Sequence, residues 1–255
     1  MSVNGNKVMI TETDYGMLCV VFEQGLPVTI DVTRDKSAFT GSIYLARVQN
    51  IVTNIQAAFV EIDQGRKCFL PLDQLLPDTE LHCGDEILVQ ITKESTGGKV
   101  PECTCRLSIS GRYCVASYPD QRKGVSNKLE KNIKDKCKHI LDSFTALKTG
   151  LILRTNVVEC LDHPELLESL KQEVIFLSET LSQIVAKAAY QPVGTKLYTP
   201  SPVYIKRLMQ LKLEKIDEII TDIEAVMVEL KKYKLTNPLL LDKVRFYEDS
   251  MISLK

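Results

Sequence analysis

QAAFVEIDQGRKCFLPL, residues 56–72, contains two strand-like segments joined by a turn with a glycine. Successive strand side chains point to opposite faces, so Ala58, Val60 and Ile62 of AAFVEI share one face while Phe59 lies on the other. The same alternation in KCFLP turns Phe69 outward. Two outward rings beside Arg66 and Lys67 are suited to stacking on nucleobases, and rings so placed also occur where one domain packs on another. These residues alone leave both interpretations open.

Residues 42–110 contain five strand-like runs, most of them separated by turns with glycine. The runs are SIYLARVQNI, AAFVEI, CFLPL, EILVQITKE and CTCRLSIS. Five short strands with a polar helical connection after the third predict an OB barrel of the S1 type, which binds single strands across strands two and three. Phe59 and Phe69 fall on these two strands. Lys99 follows a predicted Gly-Gly turn at residues 97–98 and is expected near the same mouth, although a lysine in a turn is usually only solvated.

The segment from 114 to 199 predicts a compact α+β unit. Apolar residues at helical spacing from Leu129 to Leu147 indicate a first helix, with lysines between them that fit a solvated helix face. GLILRT indicates a short strand. Asp162 and Pro164 are typical of a helix start and predict that a long second helix opens there, with an apolar stripe from Leu166 to Ala188.

The two ends of the chain carry complementary patterns. KVMITETDYGMLCVVFEQGLPVTIDVTRD predicts a meander of strands without a helix, and the last part alternates helix and strand, which suits a parallel sheet. The simplest packing joins residues 1–40 with 200–255 into one discontinuous domain, interrupted by the barrel at 41–113 and the α+β unit at 114–199. The predicted fold class is therefore α/β plus a β-barrel.

Composition and net charge restrict the ligands, the compartment and the metal sites that we expect for the protein. A net charge of −1 means that nucleic-acid binding requires a local basic patch. No apolar run is long enough to span a bilayer, and the first ten residues lack the pattern of a secretory signal, so we expect a cytoplasmic protein with reduced cysteines. Cys103 and Cys105 share a strand face, but the paired spacings of a structural zinc site do not occur. We therefore expect no metal site from the eight cysteines.

Several blocks, in this order, resemble the ribonuclease E/G family of endoribonucleases. They are GSIYLARVQNI with QAAFVEI, GDEILVQITKE with GGK and SISGRY, KGVSNKLE, GLILRT, PSPVYIKRL with IDEIITD, and KVRFYED. The resemblance implies an RNase H-like domain, formed by residues 1–40 and 200–255 and split around an inserted S1 domain and a 5′-sensor domain. The resemblance also implies that Phe59 and Phe69 stack on RNA and that Lys99 is a basic RNA contact.

The resemblance further implies a pocket for the 5′-monophosphate of an RNA substrate. Arg154 and Thr155 match the family's Arg-Thr pair, and Val125 matches a loop position that helps to close the pocket. The chemistry fits, because a guanidinium can fork onto two phosphate oxygens while a hydroxyl donates another hydrogen bond. One departure weakens the positive field: the family commonly follows GVS with two arginines, where this chain has Asn127 and Lys128.

The resemblance implies that a DNase I-like domain with magnesium-binding aspartates hydrolyses RNA, and we expect that domain to lie beyond MISLK at residue 255. We therefore expect no catalytic residue, metal or cofactor within this sequence, with magnesium required by the full-length family enzyme. Asp217, Glu218 and Asp222 flank a strand and are candidates for a metal site, although charged residues at strand ends are usually solvated. The expected partner is single-stranded RNA, preferably 5′-monophosphorylated. The alternative is a non-catalytic scaffold or regulator whose barrel face docks a protein, with a homo-oligomer also left open.

Overall fold

In the computed structural model of the protein, the residues whose structure is described are 5–33, 40–94, 99–164, 166–234 and 243–247. The strands are β1 (Lys7–Thr13), β2 (Gly16–Glu23), β3 (Leu26–Thr33), β4 (Ile43–Val52), β5 (Ala57–Glu61), β6 (Lys67–Pro71), β7 (Glu86–Lys93), β8 (Glu102–Thr104), β9 (Leu107–Ser110), β10 (Cys114–Tyr118), β11 (Lys123–Val125), β12 (Gly150–Leu153), β13 (Lys196–Tyr198), β14 (Glu218–Thr221) and β15 (Val244–Phe246). The α-helices are α1 (Lys131–Asp142), α2 (Val157–Asp162), α3 (Leu166–Ala188), α4 (Val203–Gln210) and α5 (Glu224–Lys234).

The chain divides into two compact units, one formed by residues 1–38 with 201–255 and the other by residues 39–200. The first unit holds a five-stranded sheet in the order β15-β14-β1-β2-β3. β1, β2 and β3 form an antiparallel meander, and β14 runs parallel to both β1 and β15. The predicted meander and the predicted parallel pairing are both confirmed. The core of this unit consists of apolar residues of β1, β2 and β14 packed against α4 and α5.

The second unit contains a closed five-stranded barrel. Its strands follow the order β4-β5-β6-β8-β7, and pairing of β7 with β4 closes the ring, while β13 pairs with the first residues of β4. Alternate residues of β5 and β6, including Ala58, Val60 and Leu70, are fully buried in the barrel core. The predicted barrel is therefore present. The predicted turn at residues 97–98 lies outside the described residues.

The fifth predicted strand, CTCRLSIS, is wrong as a single element. β8 belongs to the barrel, but β9 pairs with β10 in a separate four-stranded sheet of order β11-β12-β10-β9. The chain leaves the barrel at Cys105 and Arg106. The backbone N–H of Cys105 donates to the Gln74 carbonyl at 3.1 Å, and the Arg106 guanidinium donates to the Asp73 carbonyl at 2.8 Å. These bonds to the loop after β6 break the ladder between the two strands.

The four-stranded sheet is covered by helices. The long helix α3 packs on β9 and β10, and α1 packs on β11. The predicted long helix is confirmed and spans Leu166–Ala188. The first helix is shorter than the apolar pattern from Leu129 to Leu147 and ends at Asp142. Phe144 is nevertheless buried, in the turn that follows α1. The short helix α2 was not predicted.

Candidate nucleic-acid interface

Phe59 and Phe69 form a pair of partly exposed rings on the outside of the barrel. They lie directly opposite each other in the β5–β6 ladder, with ring centroids 5.9 Å apart and an edge-to-face angle of 70°. Their strand neighbours Ala58, Val60 and Cys68 are fully buried. The outward orientation predicted from alternation is confirmed. Edge-to-face contact holds both rings in a defined geometry and leaves apolar surface for a further planar group.

The ring pair lies in a row of paired residues that crosses the five barrel strands, and the other members of this row are polar. Asn50 of β4 pairs with Phe59, Glu102 of β8 pairs with Phe69, and Lys93 of β7 pairs with Glu102. The Lys93 ammonium lies 2.8 Å from the Glu102 carboxylate. An exposed amide therefore lies at one end of the rings and an ion pair at the other. Hydrogen-bonding groups beside a stacking surface suit a nucleotide, whose base has both a flat face and polar edges.

Sequence reasoning missed Asn50 and Lys93. Their proximity to the rings depends on the register of strands that are distant along the chain, and no local pattern reports it. Lys99 was predicted to contribute to this face. It is exposed and precedes Pro101, whose carbonyl accepts the backbone N–H of Phe69 at 2.7 Å. Lys99 is thus two residues along the chain from Pro101, which is hydrogen-bonded to the strand that carries Phe69.

The structure brings Val125 and Arg154 together on the four-stranded sheet. β11 runs parallel to β12 with Val125 beside Leu153, and the Ser126 N–H donates to the Leu153 carbonyl at 2.8 Å. Arg154 is the next residue, and exposed Thr155 follows it. The three residues predicted to form a phosphate pocket therefore lie on adjoining chain segments.

Arg154 is fixed by two bonds to a neighbouring segment. Its backbone N–H donates to the Tyr113 carbonyl at 2.7 Å, and its Nη1 donates to the Gly111 carbonyl. A guanidinium has five N–H donors, so the bond to Gly111 leaves others for an anion. The side chain is thus oriented before any ligand binds, which lowers the entropy that binding would cost.

A buried carboxylate holds the segment that supports Arg154. Glu173 of α3 accepts backbone N–H groups from Arg112 at 2.9 Å, Tyr113 at 2.7 Å and Cys114 at 3.1 Å. Burial raises the pKa of Glu173, while these N–H groups act to lower it. A Cβ at Gly111 would lie 2.4 Å from the Glu173 carboxyl, so only glycine fits this close approach.

A second buried carboxylate fixes the chain on the other side of Thr155. Glu159 of α2 forms a forked ion pair with the Arg112 guanidinium, with Nη2 to Oε2 at 2.7 Å and Nη2 to Oε1 at 2.8 Å. Sequence reasoning did not find these supporting residues, because each contact joins residues 47 to 61 positions apart.

The three carboxylates weighed for a metal site act as anchors of the sheet instead. Each has a partner on the opening segment: the Asn6 N–H donates to Asp217 at 2.8 Å, Lys7 pairs with Glu218 at 3.1 Å, and the Thr11 hydroxyl donates to Asp222 at 2.8 Å. Among the described residues, no group of three or more His, Cys, Asp or Glu side chains could hold a metal ion. The three contacts join β14 and its flanking residues to the opening segment.

The sequence profile of the ribonuclease E/G family matches residues 108–254, which is more than half of the chain. The chain belongs to the ribonuclease E/G family. The profile of the S1 RNA binding domain matches residues 37–100, the part of this family member that holds most of the barrel and both phenylalanines. None of the helices in the described ranges is long and apolar enough to cross a membrane.

Curated relatives of this ribonuclease E/G family member are similar along much of its length. Ribonuclease G of Haemophilus influenzae is 24% identical over 250 residues, covering 91% of this chain and 47% of that protein. Ribonuclease E of the same organism is 25% identical over 225 residues, covering 81% of this chain and 24% of that protein. Ribonuclease G of Escherichia coli is 26% identical over 151 residues, covering 51% of this chain and 31% of that protein. The chain thus spans at most about half the length of these relatives.

Proposed function

We propose that this chain binds single-stranded RNA across its S1 barrel and senses the RNA 5′-monophosphate, as the recognition part of a ribonuclease E/G-type endoribonuclease. The observation that carries the proposal is the Phe59–Phe69 ring pair, which is partly exposed on the barrel beside polar groups. Aromatic rings on an S1-type barrel stack on successive bases irrespective of base identity.

The proposal assigns a role to each part of the chain. Residues 114–199 form the 5′-sensor, with Arg154, Thr155 and Val125 at the phosphate, and residues 1–40 with 200–255 form the RNase H-like domain. We expect the 255 residues to bind RNA without cutting it alone. Chelator-sensitive cleavage of RNA by the pure chain would contradict the last point.

The stacking surface is tested by replacing both phenylalanines with alanine. Stacking contributes about 1–3 kcal/mol per base, so Phe59→Ala with Phe69→Ala is expected to weaken RNA binding well over tenfold. Fluorescence anisotropy with a short labelled single-stranded RNA measures the affinity. The matched control is Phe176→Ala with Tyr190→Ala, which removes two rings exposed by 61% and 86% on the same unit. Equal affinity in the test variant and the control would disprove the platform.

The 5′-sensor is tested by Arg154→Ala. Loss of the guanidinium should abolish the preference for 5′-monophosphorylated over 5′-hydroxyl RNA and leave binding of the 5′-hydroxyl RNA nearly unchanged. The control is Arg106→Ala, because Arg106 also donates to a backbone carbonyl on the same unit, at 2.8 Å from Asp73 O. If Arg154→Ala lowers the affinity for both RNAs equally, its role is structural and the pocket is elsewhere.

The rival function is a scaffold whose barrel face docks a protein. The salt dependence of binding distinguishes it from RNA binding. Binding to phosphates weakens steeply with salt because counterions are released, whereas an apolar protein interface does not respond in this way. RNA affinity that does not change with salt would count against the RNA-binding proposal.

A further inference from the structure

Positive charge is concentrated in one short part of this nearly neutral chain. Residues 122–148 hold eight lysines and arginines against three carboxylates, a net charge of +5 in a protein whose total is −1. The rest of the chain is therefore net negative. A polyanion that approaches this protein meets an attractive field mainly at this segment.

The helix α1 arranges several of these cations along one flank. Lys131, Lys134 and Lys138 are three and four residues apart, so they lie on the same side of the helix within about 10 Å along its axis. Lys128 lies in the turn that leads into α1. We call these four residues the basic flank.

The side chains of the basic flank are available to a ligand. Lys128, Lys131 and Lys138 are exposed. Lys138 makes an exposed ion pair with Asp135 at 2.8 Å, a contact of the kind that contributes little to stability. Lys134 donates to the Asn127 carbonyl at 3.2 Å, which ties the helix to the loop after β11. Three ammonium groups of this flank can thus turn toward an anion without breaking the fold.

The arrangement is not one that stabilises the helix itself. The first turn of α1 contains no acidic residue, and Glu130 at the N-cap makes no side-chain capping bond. Lysines near this end add to the positive potential of the helix dipole, which is unfavourable in the absence of an anion. The placement of Lys128 and Lys131 is better explained by binding than by folding.

We infer that the basic flank is a second RNA-binding surface, which contacts backbone phosphates of nucleotides that the barrel does not hold, an inference that rests on the RNA-binding function proposed above. α1 packs on β11, which carries Val125, so the basic flank adjoins the proposed 5′-phosphate pocket through one continuous loop. The surface binds phosphates through point charges and reads no base. It increases affinity for long single strands over short ones.

The test is the triple variant Lys128→Gln, Lys131→Gln and Lys138→Gln, which spares Lys134 and its bond to the loop. Each lost phosphate contact lowers the slope of log affinity against log salt by about 0.7 for single strands, so the slope should fall by about 2. Anisotropy between about 50 and 200 mM salt measures the slope. For a 5′-hydroxyl RNA of about fifteen nucleotides, we expect about a tenfold loss of affinity; for one of about five nucleotides, little loss.

The matched control is Lys171→Gln, Lys187→Gln and Lys212→Gln. It removes the same charge from exposed sites and includes one ion pair between residues three apart, Lys171 with Glu168. If the test variant behaves like this control, the basic flank is not an RNA-binding surface, and the proposed function is unaffected. Equal losses for long and short RNA also overturn it, because they indicate a general field. If the unmodified chain binds neither RNA, the proposed function and this inference both fail.

Discussion

Arg112 is the largest fully buried side chain in the described part of the chain. Its side chain is 1% exposed, and that of its partner Glu159 is 11% exposed. Removing one member of a buried pair leaves the other charge without compensation and costs about 3–5 kcal/mol, whereas replacing both by apolar residues is often neutral. We expect Arg112→Met to lose stability in this range and Arg112→Met with Glu159→Leu to lose much less, as measured by urea unfolding.

The two variants separate the ion pair from the packing of its carbon atoms. Both remove the Arg112 guanidinium, and only the single variant strands a carboxylate. Equal destabilisation by the two would mean that the arginine contributes through shape. Glu159 follows Thr155 closely along the chain, which adds a second readout. The proposed selectivity for the RNA 5′ end should fall in the single variant and recover in the double one.

Local alternation was sufficient to predict Phe59 and Phe69, because a strand with one buried face sets the direction of every side chain in it. The same reasoning could not predict Glu173. Its three backbone partners lie about sixty residues earlier, and nothing near Glu173 in the sequence distinguishes it from the solvated carboxylates of α3. The residues proposed to contact RNA left a sequence signal here. Residues that position them did not.

Most elements were predictable because their apolar period is local. The long helix, the opening meander and the barrel strands β4 to β7 follow directly from it. The boundary between β8 and β9 was not predictable, since an unbroken alternation in CTCRLSIS gives no sign that Cys105 and Arg106 bond to residues 73–74. Competition from a distant loop, and not a turn residue, ends this strand.

For the helix α1, the apolar pattern is longer than the element that the structure contains. Its apolar pattern continues to Leu147, but the N–H groups of Ser143 and Phe144 donate to Ile140 and Leu141 in a turn after the helix. Phe144 is buried all the same. A helical apolar period shows which side chains face the core. The last of these side chains can also be buried from a turn that follows the helix.

Most cysteines, in both units of the molecule, share one chemical property. Seven of the eight thiols are buried, and Cys83 is exposed. Burial raises the pKa of Cys105 and Cys160 to about 12, from an ordinary value of 9.0, because a thiolate is poorly solvated in the interior. These two thiols are neutral in the folded protein at a pH where the unfolded chain would ionise them.

This difference predicts the alkaline behaviour of the protein. A raised folded pKa contributes stability that is fully present below the unfolded pKa, near 9.0, and is lost as pH rises through about 12. Each of the two thiols should therefore cost about 1 kcal/mol by about pH 10. We expect the urea midpoint to be nearly constant from about pH 7 to about pH 8.5 and to fall steadily above about pH 9.

The part of the decline that comes from these two thiols is isolated by Cys105→Ala with Cys160→Ala. This variant is expected to be less stable at neutral pH, because it leaves small cavities, but to lose less stability between about pH 8 and about pH 10. The slope against pH, and not the absolute midpoint, is the quantity to compare. The exposed Cys83 supplies the control, since Cys83→Ala removes a thiol that water already solvates and should leave the slope unchanged. Identical slopes for the unmodified chain and the double variant would show that the alkaline loss arises from other groups.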